Sequence, residues 1–162
     1  MARFVFADDG IDFDGHSIDK GPLGGVESSL INLTKELAKL GHEVLVRNHC
    51  QSPQIIDGVN WAPLSHDMPS EADVYVANRG DQLITLMPNA GQTIFWTHNP
   101  AKYLLKRRYL YKIWRYQPII VFIGNYHAST YPNWAPGKTR KTIPYGISVE
   151  FMNVPQRETP PS

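Results

Sequence analysis

The amino-acid sequence predicts an α/β fold in which helices cover a parallel β-sheet. Short apolar runs rich in β-branched and aromatic residues alternate with helical patterns along the chain. Between Val26 and Leu40, apolar residues recur at spacings of three and four, as they do on one face of an amphipathic helix. The chain has 162 residues, 42% hydrophobic and 19% charged, which suits one globular domain and excludes a disordered chain, a collagen and a coiled coil.

Each element is predicted from its own pattern of residues. The first helix is expected to bury Val26, Leu30, Leu33, Leu37 and Leu40 and to end at Gly41. The predicted strands are residues 3–7, 43–47, 59–62, 74–77, 93–97, 119–123 and 142–143, and the predicted helices are residues 26–40, 81–87, 101–116 and 127–131. In a parallel sheet of this kind ligands bind outside the carboxyl ends of the strands, so the segments that follow strands are the first candidates for function.

Composition excludes several classes of protein and site. The single cysteine, Cys50, leaves no intrachain disulfide or multi-cysteine metal site, and it is expected to be a reduced structural thiol. The net charge of +1 argues against nucleic-acid binding by overall charge, and no apolar run is long enough to span a membrane. No signal peptide is recognisable at the N-terminus, so a cytoplasmic location is expected.

The first predicted loop, residues 8–27, is rich in glycine and acidic residues. Gly24 and Gly25 let a ligand approach the backbone closely, and the helix start behind them favours an anionic group. The alternative is a flexible loop with a helix-entry turn. Carboxylates in this loop offer oxygen ligands for calcium, but their spacing is not that of an EF-hand, so a solvated acidic loop is expected and no metal site is predicted: Asp8, Asp9, Asp12, Asp14, Asp19.

Three segments resemble retaining glycosyltransferases with the GT-B fold, of the family-4 kind. Residues 24–44 (Gly-Gly-Val-Glu-Ser-Ser-Leu through His-Glu-Val) resemble the family's first loop, helix and strand. Residues 95–99 (Phe-Trp-Thr-His-Asn) resemble its strand that ends in a histidine, and residues 143–147 (Ile-Pro-Tyr-Gly-Ile) its junction between two domains. The resemblance implies one Rossmann-like half of a GT-B enzyme, with residues 1–151 as the acceptor-side domain and residues 152–162 as an interdomain linker or disordered tail.

The resemblance also implies roles for particular residues. His98 matches the family's active-site histidine, which contacts the donor sugar; the alternative is a strand-end histidine bonded to backbone. Donor or acceptor binding is implied for the glycine loop and two neighbouring polar positions: Gly24, Gly25, Glu27, Asn99. Tyr145 departs from the family, which usually has asparagine there.

The predicted helix 101–116 is basic and aromatic, with no acidic residue. Such a helix can lie on an anionic membrane surface, or its cations can face a phosphate-bearing acceptor; a packed helix with a solvated basic face is the third interpretation. The cations proposed for acceptor or membrane contact are Lys102, Lys106, Arg107 and Arg108. Under the membrane interpretation, the protein is expected in the cytoplasm, in peripheral contact with the inner face of the membrane.

The sequence and the resemblance together predict half of a glycosyltransferase. The intact enzyme would transfer a sugar from a nucleotide-sugar donor to a glycan or lipid-linked acceptor, without another cofactor. The resemblance implies a C-terminal donor domain as the partner of this chain, which alone is expected to show little transfer. The alternatives are a non-catalytic module that binds a glycan or a partner, and an oxidoreductase, which the lack of a dinucleotide fingerprint disfavours.

Overall fold

Apolar strands form a single sheet at the centre of the structure. The computed structural model describes residues 1–146, which contain an eight-stranded sheet in the order β3-β4-β2-β1-β5-β6-β7-β8. Neighbouring strands are parallel except for the antiparallel pair β3 and β4. The strands are β1 (Arg3–Asp8), β2 (Glu43–Asn48), β3 (Gln54–Ile56), β4 (Val59–Pro63), β5 (Val74–Asn78), β6 (Gln92–Trp96), β7 (Ile119–Phe122) and β8 (Arg140–Thr142).

Helices cover both faces of this sheet. They are α1 (Ser17–Lys20), α2 (Gly25–Lys39), α3 (Arg107–Tyr116) and α4 (Asn125–Ser129), with 3₁₀ helices at Gln82–Thr85 and Ala101–Leu105. Alternate β1 residues face opposite ways: Val5 belongs to the core that holds Tyr109 of α3, and Phe6 to the core that holds Leu30 of α2. The predicted α/β fold with a mostly parallel sheet is therefore confirmed, and it is compatible with a Rossmann-like topology. The predicted boundary at residue 151 and the tail 152–162 lie outside the described residues.

The chain changes direction across the sheet at β1. From β1 it moves outward to β2 and β4 on one side, and then crosses to β5 on the other side of β1. The carboxyl ends of β1 and β5 therefore flank a topological switch point, which is where folds of this kind bind ligands.

The helix predicted for residues 101–116 is not continuous. Lys106 is extended, with φ −68° and ψ 140°, and separates the 3₁₀ helix Ala101–Leu105 from α3. The reason is packing. Leu104 and Tyr109 are both buried, but five residues on one α-helix lie about 140° apart around its axis. A break at Lys106 lets both side chains reach the core.

The buried face of α2 also differs from the prediction. Leu30 is buried, but Leu33 is 40% exposed and Leu40 is 73% exposed. Polar residues take part of the buried face: Glu27 pairs with Arg79, and the Thr34 hydroxyl donates to a backbone carbonyl within its own helix. A pattern of apolar residues alone could not identify that face.

A short hairpin at one edge of the sheet was not predicted. Asp57 and Gly58 have φ values of +50° and +79° and connect β3 to β4. An Asp-Gly dipeptide suits this turn because both central residues adopt positive φ. Cys50 is free and buried, as predicted. In the described part of the chain, no helix is long and apolar enough to cross a membrane.

Candidate functional site

Polar side chains gather at the carboxyl ends of three adjacent strands. Asp8 is the last residue of β1, Asn78 is the last residue of β5, and Arg79 follows it. His98 lies two residues beyond the end of β6. These residues therefore lie at and beside the topological switch point, where the fold favours ligand binding.

Arg79 joins two buried carboxylates. Its Nη2 lies 2.7 Å from Asp8 Oδ1, and its Nη1 lies 2.8 Å from Glu27 Oε1. The Asp8 side chain is fully buried, and that of Glu27 is 6% exposed. Burial acts to lower the pKa of Arg79, but its bonds to Asp8 and Glu27 outweigh this and raise it. For Asp8, the expected solvated acidic loop is thus wrong, because this carboxylate is neutralised inside the protein.

The backbone around Arg79 is shaped to hold this ion pair. Arg79 has a φ of +73°, a left-handed conformation that costs a residue with a side chain free energy. A Cβ atom at Gly10 would lie 1.9 Å from Arg79 Nη2, so the close approach of guanidinium and loop requires glycine. A strained residue held by buried ion pairs at a switch point is typical of a functional site.

A hydrogen-bond chain runs from Asp8 to His98 and fixes the tautomer of the histidine. The Asn78 amide nitrogen donates to Asp8 Oδ2 at 2.5 Å, since a carboxylate only accepts. Asn78 Oδ1 therefore faces His98 Nε2, 2.5 Å away, and Nε2 must carry the proton. The other ring nitrogen, Nδ1, accepts a hydrogen bond from the Tyr145 hydroxyl. His98 is thus bonded to side chains, contrary to the alternative of a strand-end histidine bonded to backbone.

This environment keeps the imidazole neutral. Burial, the charge of Arg79 and the neighbouring His127 lower the pKa of His98 to about 3. Burial raises the pKa of Tyr145, so its hydroxyl keeps the proton that it donates. At neutral pH His98 is a fixed, uncharged hydrogen-bonding group and a weak base.

Aromatic rings surround the histidine. The His98 and Tyr145 rings are stacked at 11°, with centroids 5.7 Å apart, and the Trp96 ring lies 4.7 Å from that of His98. Trp96 is 7% exposed, and its indole N–H has no hydrogen-bond acceptor within residues 1–146. The cluster therefore combines apolar ring faces with one unused donor.

The glycine loop meets this cluster at the start of α2. The helix begins at Gly25, with Gly24 as its N-cap, as the sequence predicts. A Cβ atom at Gly24 would lie 2.2 Å from Glu27 Oε2, whereas one at Gly25 would lie 4.0 Å from the nearest atom, on the Tyr145 ring. The carboxylate of Glu27 thus lies beside the helix start, and its charge works against an anionic ligand there.

Substitutions at the two glycines should separate these contacts. Gly24→Ala is expected to displace the Glu27 carboxylate from Arg79 and to lower the free energy of unfolding by about 1.5–3 kcal/mol, the value of a hydrogen bond to a charged group. Gly25→Ala is the matched control and is expected to be neutral or slightly stabilising, because alanine favours helix. Urea unfolding of both variants measures the difference; equal stabilities would contradict the packing of Glu27 against Gly24.

The other residues proposed from the sequence lie around this cluster rather than in it. Asn99 is exposed, and its backbone carbonyl accepts a hydrogen bond from His127 at 2.7 Å. Lys102, Lys106 and Arg107 are exposed. Arg108 is also exposed, but it is paired, with its Nε 3.2 Å from Asp81 Oδ1.

Part of the first loop is anchored, unlike a flexible loop. The Phe13 side chain is 2% exposed and packs edge-on against Trp61, and the Phe13 carbonyl accepts a hydrogen bond from Asn48. The other carboxylates of the first loop are spread along it. Among the described residues, no group of three or more His, Cys, Asp or Glu could hold a metal ion.

Sequence reasoning missed Asn78 and Arg79 and assigned Asp8 to solvent. In the sequence, Asp8 and Asn78 directly follow the predicted strands 3–7 and 74–77, which is the same signal that identified His98, and Arg79 is the next residue after Asn78. Tyr145 lies 47 residues from His98 in sequence, and nothing in its surroundings predicted that contact.

Comparison of the chain with protein-family models, with curated proteins and with solved structures gives no match.

Proposed function

We propose that this chain is the acceptor-side half of a retaining GT-B glycosyltransferase and that its crevice binds a sugar. The observation that supports this most directly is the position of His98. It lies beside the switch point, within one cluster that includes the start of α2 and Tyr145. Each of the three segments that resemble the family therefore contributes a residue to this cluster: Gly25, His98 and Tyr145.

The chemistry of the crevice suits hydroxyl groups better than phosphate. Asp8, Glu27 and Arg79 together carry a net charge of −1, so they do not attract an anion. The partly exposed groups are the uncharged His98 ring, whose two nitrogens are bonded to Asn78 and Tyr145, and the Tyr145 phenol oxygen, which can still accept a hydrogen bond from a hydroxyl. The partly exposed ring of Tyr145 offers apolar surface to the C–H groups of a sugar.

Within the proposed reaction, His98 positions a substrate rather than removing a proton. A pKa of about 3 makes the imidazole too weak a base for proton transfer near neutral pH. Its tautomer is fixed through Asn78 by the buried Asp8 carboxylate, so the ring is held in one orientation. Such a fixed dipole contributes through orientation and charge stabilisation, which are the effects expected where no protein base acts.

Saturation-transfer NMR with methyl glucosides and methyl mannosides tests sugar binding by this chain. We expect signals from the sugar protons with wild type and a loss of at least tenfold in affinity with His98→Ala, about 1.4 kcal/mol. His66→Ala is the control, because His66 is exposed and follows β4, which three strands separate from β6 and His98. Equal signals from wild type and His98→Ala would contradict the sugar site.

Two further observations test the catalytic part of the proposal. The chain alone is expected to turn over neither UDP-glucose nor GDP-mannose, and measurable turnover would contradict the division into two halves. A non-catalytic glycan-binding module predicts the same sugar binding. The gene sequence beyond Ser162 distinguishes the two functions, since a donor-binding domain there would support the transferase.

A further inference from the structure

The net charge of +1 includes the contributions of two parts of the chain that carry opposite charges. Residues 1–81 contain 13 acidic and 6 basic residues, a net charge of −7, whereas residues 82–146 contain 9 basic residues and no acidic residue, a net charge of +9. The boundary between these segments coincides with the strand order. Strands β3, β4, β2, β1 and β5 come from the acidic segment, and β6, β7 and β8 come from the basic one.

Most of the basic charge is not neutralised within the protein. Arg108 and Lys112 pair with Asp81, and Arg140 donates to backbone carbonyls. The other cations form no ion pair with a carboxylate in the part of the chain that the structure describes: Lys102, Lys106, Arg107, Arg115, Lys138, Lys141. The cations of the basic segment, residues 82–146, are therefore available to an anionic partner.

Two tryptophans project from the basic part, next to these cations. Trp114 of α3 is 62% exposed and Trp134 is 73% exposed. Both line an open apolar groove of about 400 Å³. We call this region the aromatic-basic surface and define it by six residues: Arg107, Tyr111, Trp114, Arg115, Trp134, Lys138.

The aromatic-basic surface is built on ordered backbone. On α3, its members are three and four residues apart and share one helix face. The Arg140 guanidinium donates to the carbonyls of Pro132, Ala135 and Gly137, which braces the loop that carries Trp134. Gly137 has a φ of +102°, and a Cβ atom there would lie 2.4 Å from Ile120 Cδ1. The exposure of Trp134 thus follows from a braced loop.

We propose that the aromatic-basic surface binds the headgroup region of an anionic lipid bilayer. Cations attract an anionic leaflet, and exposed tryptophan and tyrosine side chains favour the interface between lipid and water. With 10 residues, α3 suits a helix that lies along the bilayer surface. A soluble polyanion would use the same cations but would leave the apolar groove between Trp114 and Trp134 without a role.

This proposal is independent of the proposed function, because the groove lies toward the amino ends of the strands. Its residue Trp114 is in the last turn of α3, which precedes β7, and its residue Pro136 precedes β8. The candidate crevice lies instead at the carboxyl ends of β1, β5 and β6.

Co-sedimentation of the full chain with vesicles tests the surface. Wild type is expected to bind vesicles of phosphatidylcholine and phosphatidylglycerol, to bind phosphatidylcholine alone much more weakly, and to lose affinity as salt is added. The variant Arg107→Gln/Arg115→Gln/Lys138→Gln should bind about a hundredfold more weakly, from a factor of about five for each cation. The control Lys20→Gln/Lys35→Gln/Lys39→Gln removes the same charge from α1 and α2 and should bind like wild type.

Tryptophan fluorescence gives a second readout. The other two tryptophans, Trp61 and Trp96, are buried, so a blue shift on addition of vesicles should come from Trp114 and Trp134. Trp114→Phe/Trp134→Phe should abolish that shift. Equal binding of wild type and the triple cation variant would overturn the proposal, as would an equal loss in the lysine control or binding to heparin without binding to vesicles.

Discussion

Replacement of Arg79 by methionine is expected to lower the free energy of unfolding by about 3–5 kcal/mol, which is the usual cost of removing one partner from a buried ion pair. Methionine retains much of the side-chain bulk but leaves the Asp8 and Glu27 carboxylates without a cation. Both are buried, so water cannot compensate for the lost charge. Since small proteins are stable by about 5–15 kcal/mol, this loss is a large fraction of the total. Urea unfolding monitored by circular dichroism measures it.

Arg108→Met is the matched control for this prediction. Arg108 also pairs with a carboxylate, that of Asp81, but its side chain is 61% exposed, so a loss of at most about 1 kcal/mol is expected. If Arg79→Met does not fold, Arg79→Lys keeps the charge and should be destabilised less. Adding Asp8→Asn and Glu27→Gln to Arg79→Met removes the two unpaired carboxylate charges. This should recover part of the lost free energy of unfolding. Equal effects of Arg79→Met and Arg108→Met would contradict the buried network.

The pH dependence of stability should reveal the neutral state of His98. Its pKa is about 3 in the folded protein, below its ordinary value of 6.5, so the unfolded chain binds a proton more readily. The contribution of His98 to stability is therefore complete above pH 6.5 and is lost as the pH falls toward 3. The loss is about 1.4 kcal/mol per pH unit in this window, or on the order of 2 kcal/mol between pH 7 and pH 5.

Comparison of wild type with His98→Gln isolates this effect from other titrating groups. Urea unfolding at pH 7, 6 and 5 should show wild type losing about 2 kcal/mol more than the variant over this range. His66→Gln removes an exposed histidine and should follow the wild-type curve. Ring-nitrogen NMR should show His98 protonated at Nε2 alone at pH 5. A charged imidazolium at that pH would be incompatible with the network from Asp8 to Tyr145.

The positions of most elements could be predicted because their local chemistry is strong. The apolar runs at residues 74–77 and 119–123 are short and rich in β-branched residues, and they became β5 and β7. The break at Lys106 could not be predicted from residue spacing alone, because it depends on where the core lies relative to Leu104 and Tyr109. The Asp57-Gly58 turn is different, since the Asp-Gly dipeptide that favours it is present in the sequence.

The candidate site was only partly predictable, for a different reason. A histidine directly after an apolar strand was evident, and its position after β6 is confirmed. Its partners depend on strand order, because Asn78 reaches both Asp8 and His98 only when β5 lies between β1 and β6. No local pattern specifies that order. Composition likewise could not show that Asp8 and Glu27 are buried, since it does not reveal which charges meet a partner.

Because the charge is divided along the sheet, the electrostatic potential near each end depends mainly on the charges at that end. Eight strands spaced by about 4.8 Å separate β3 from β8 by about 34 Å. The Debye length at physiological ionic strength is only about 8 Å, so a surface close to one end is screened from the other. The two ends of the sheet, one anionic and one cationic, are therefore electrostatically independent of each other. The net charge of +1 for the whole chain describes neither end.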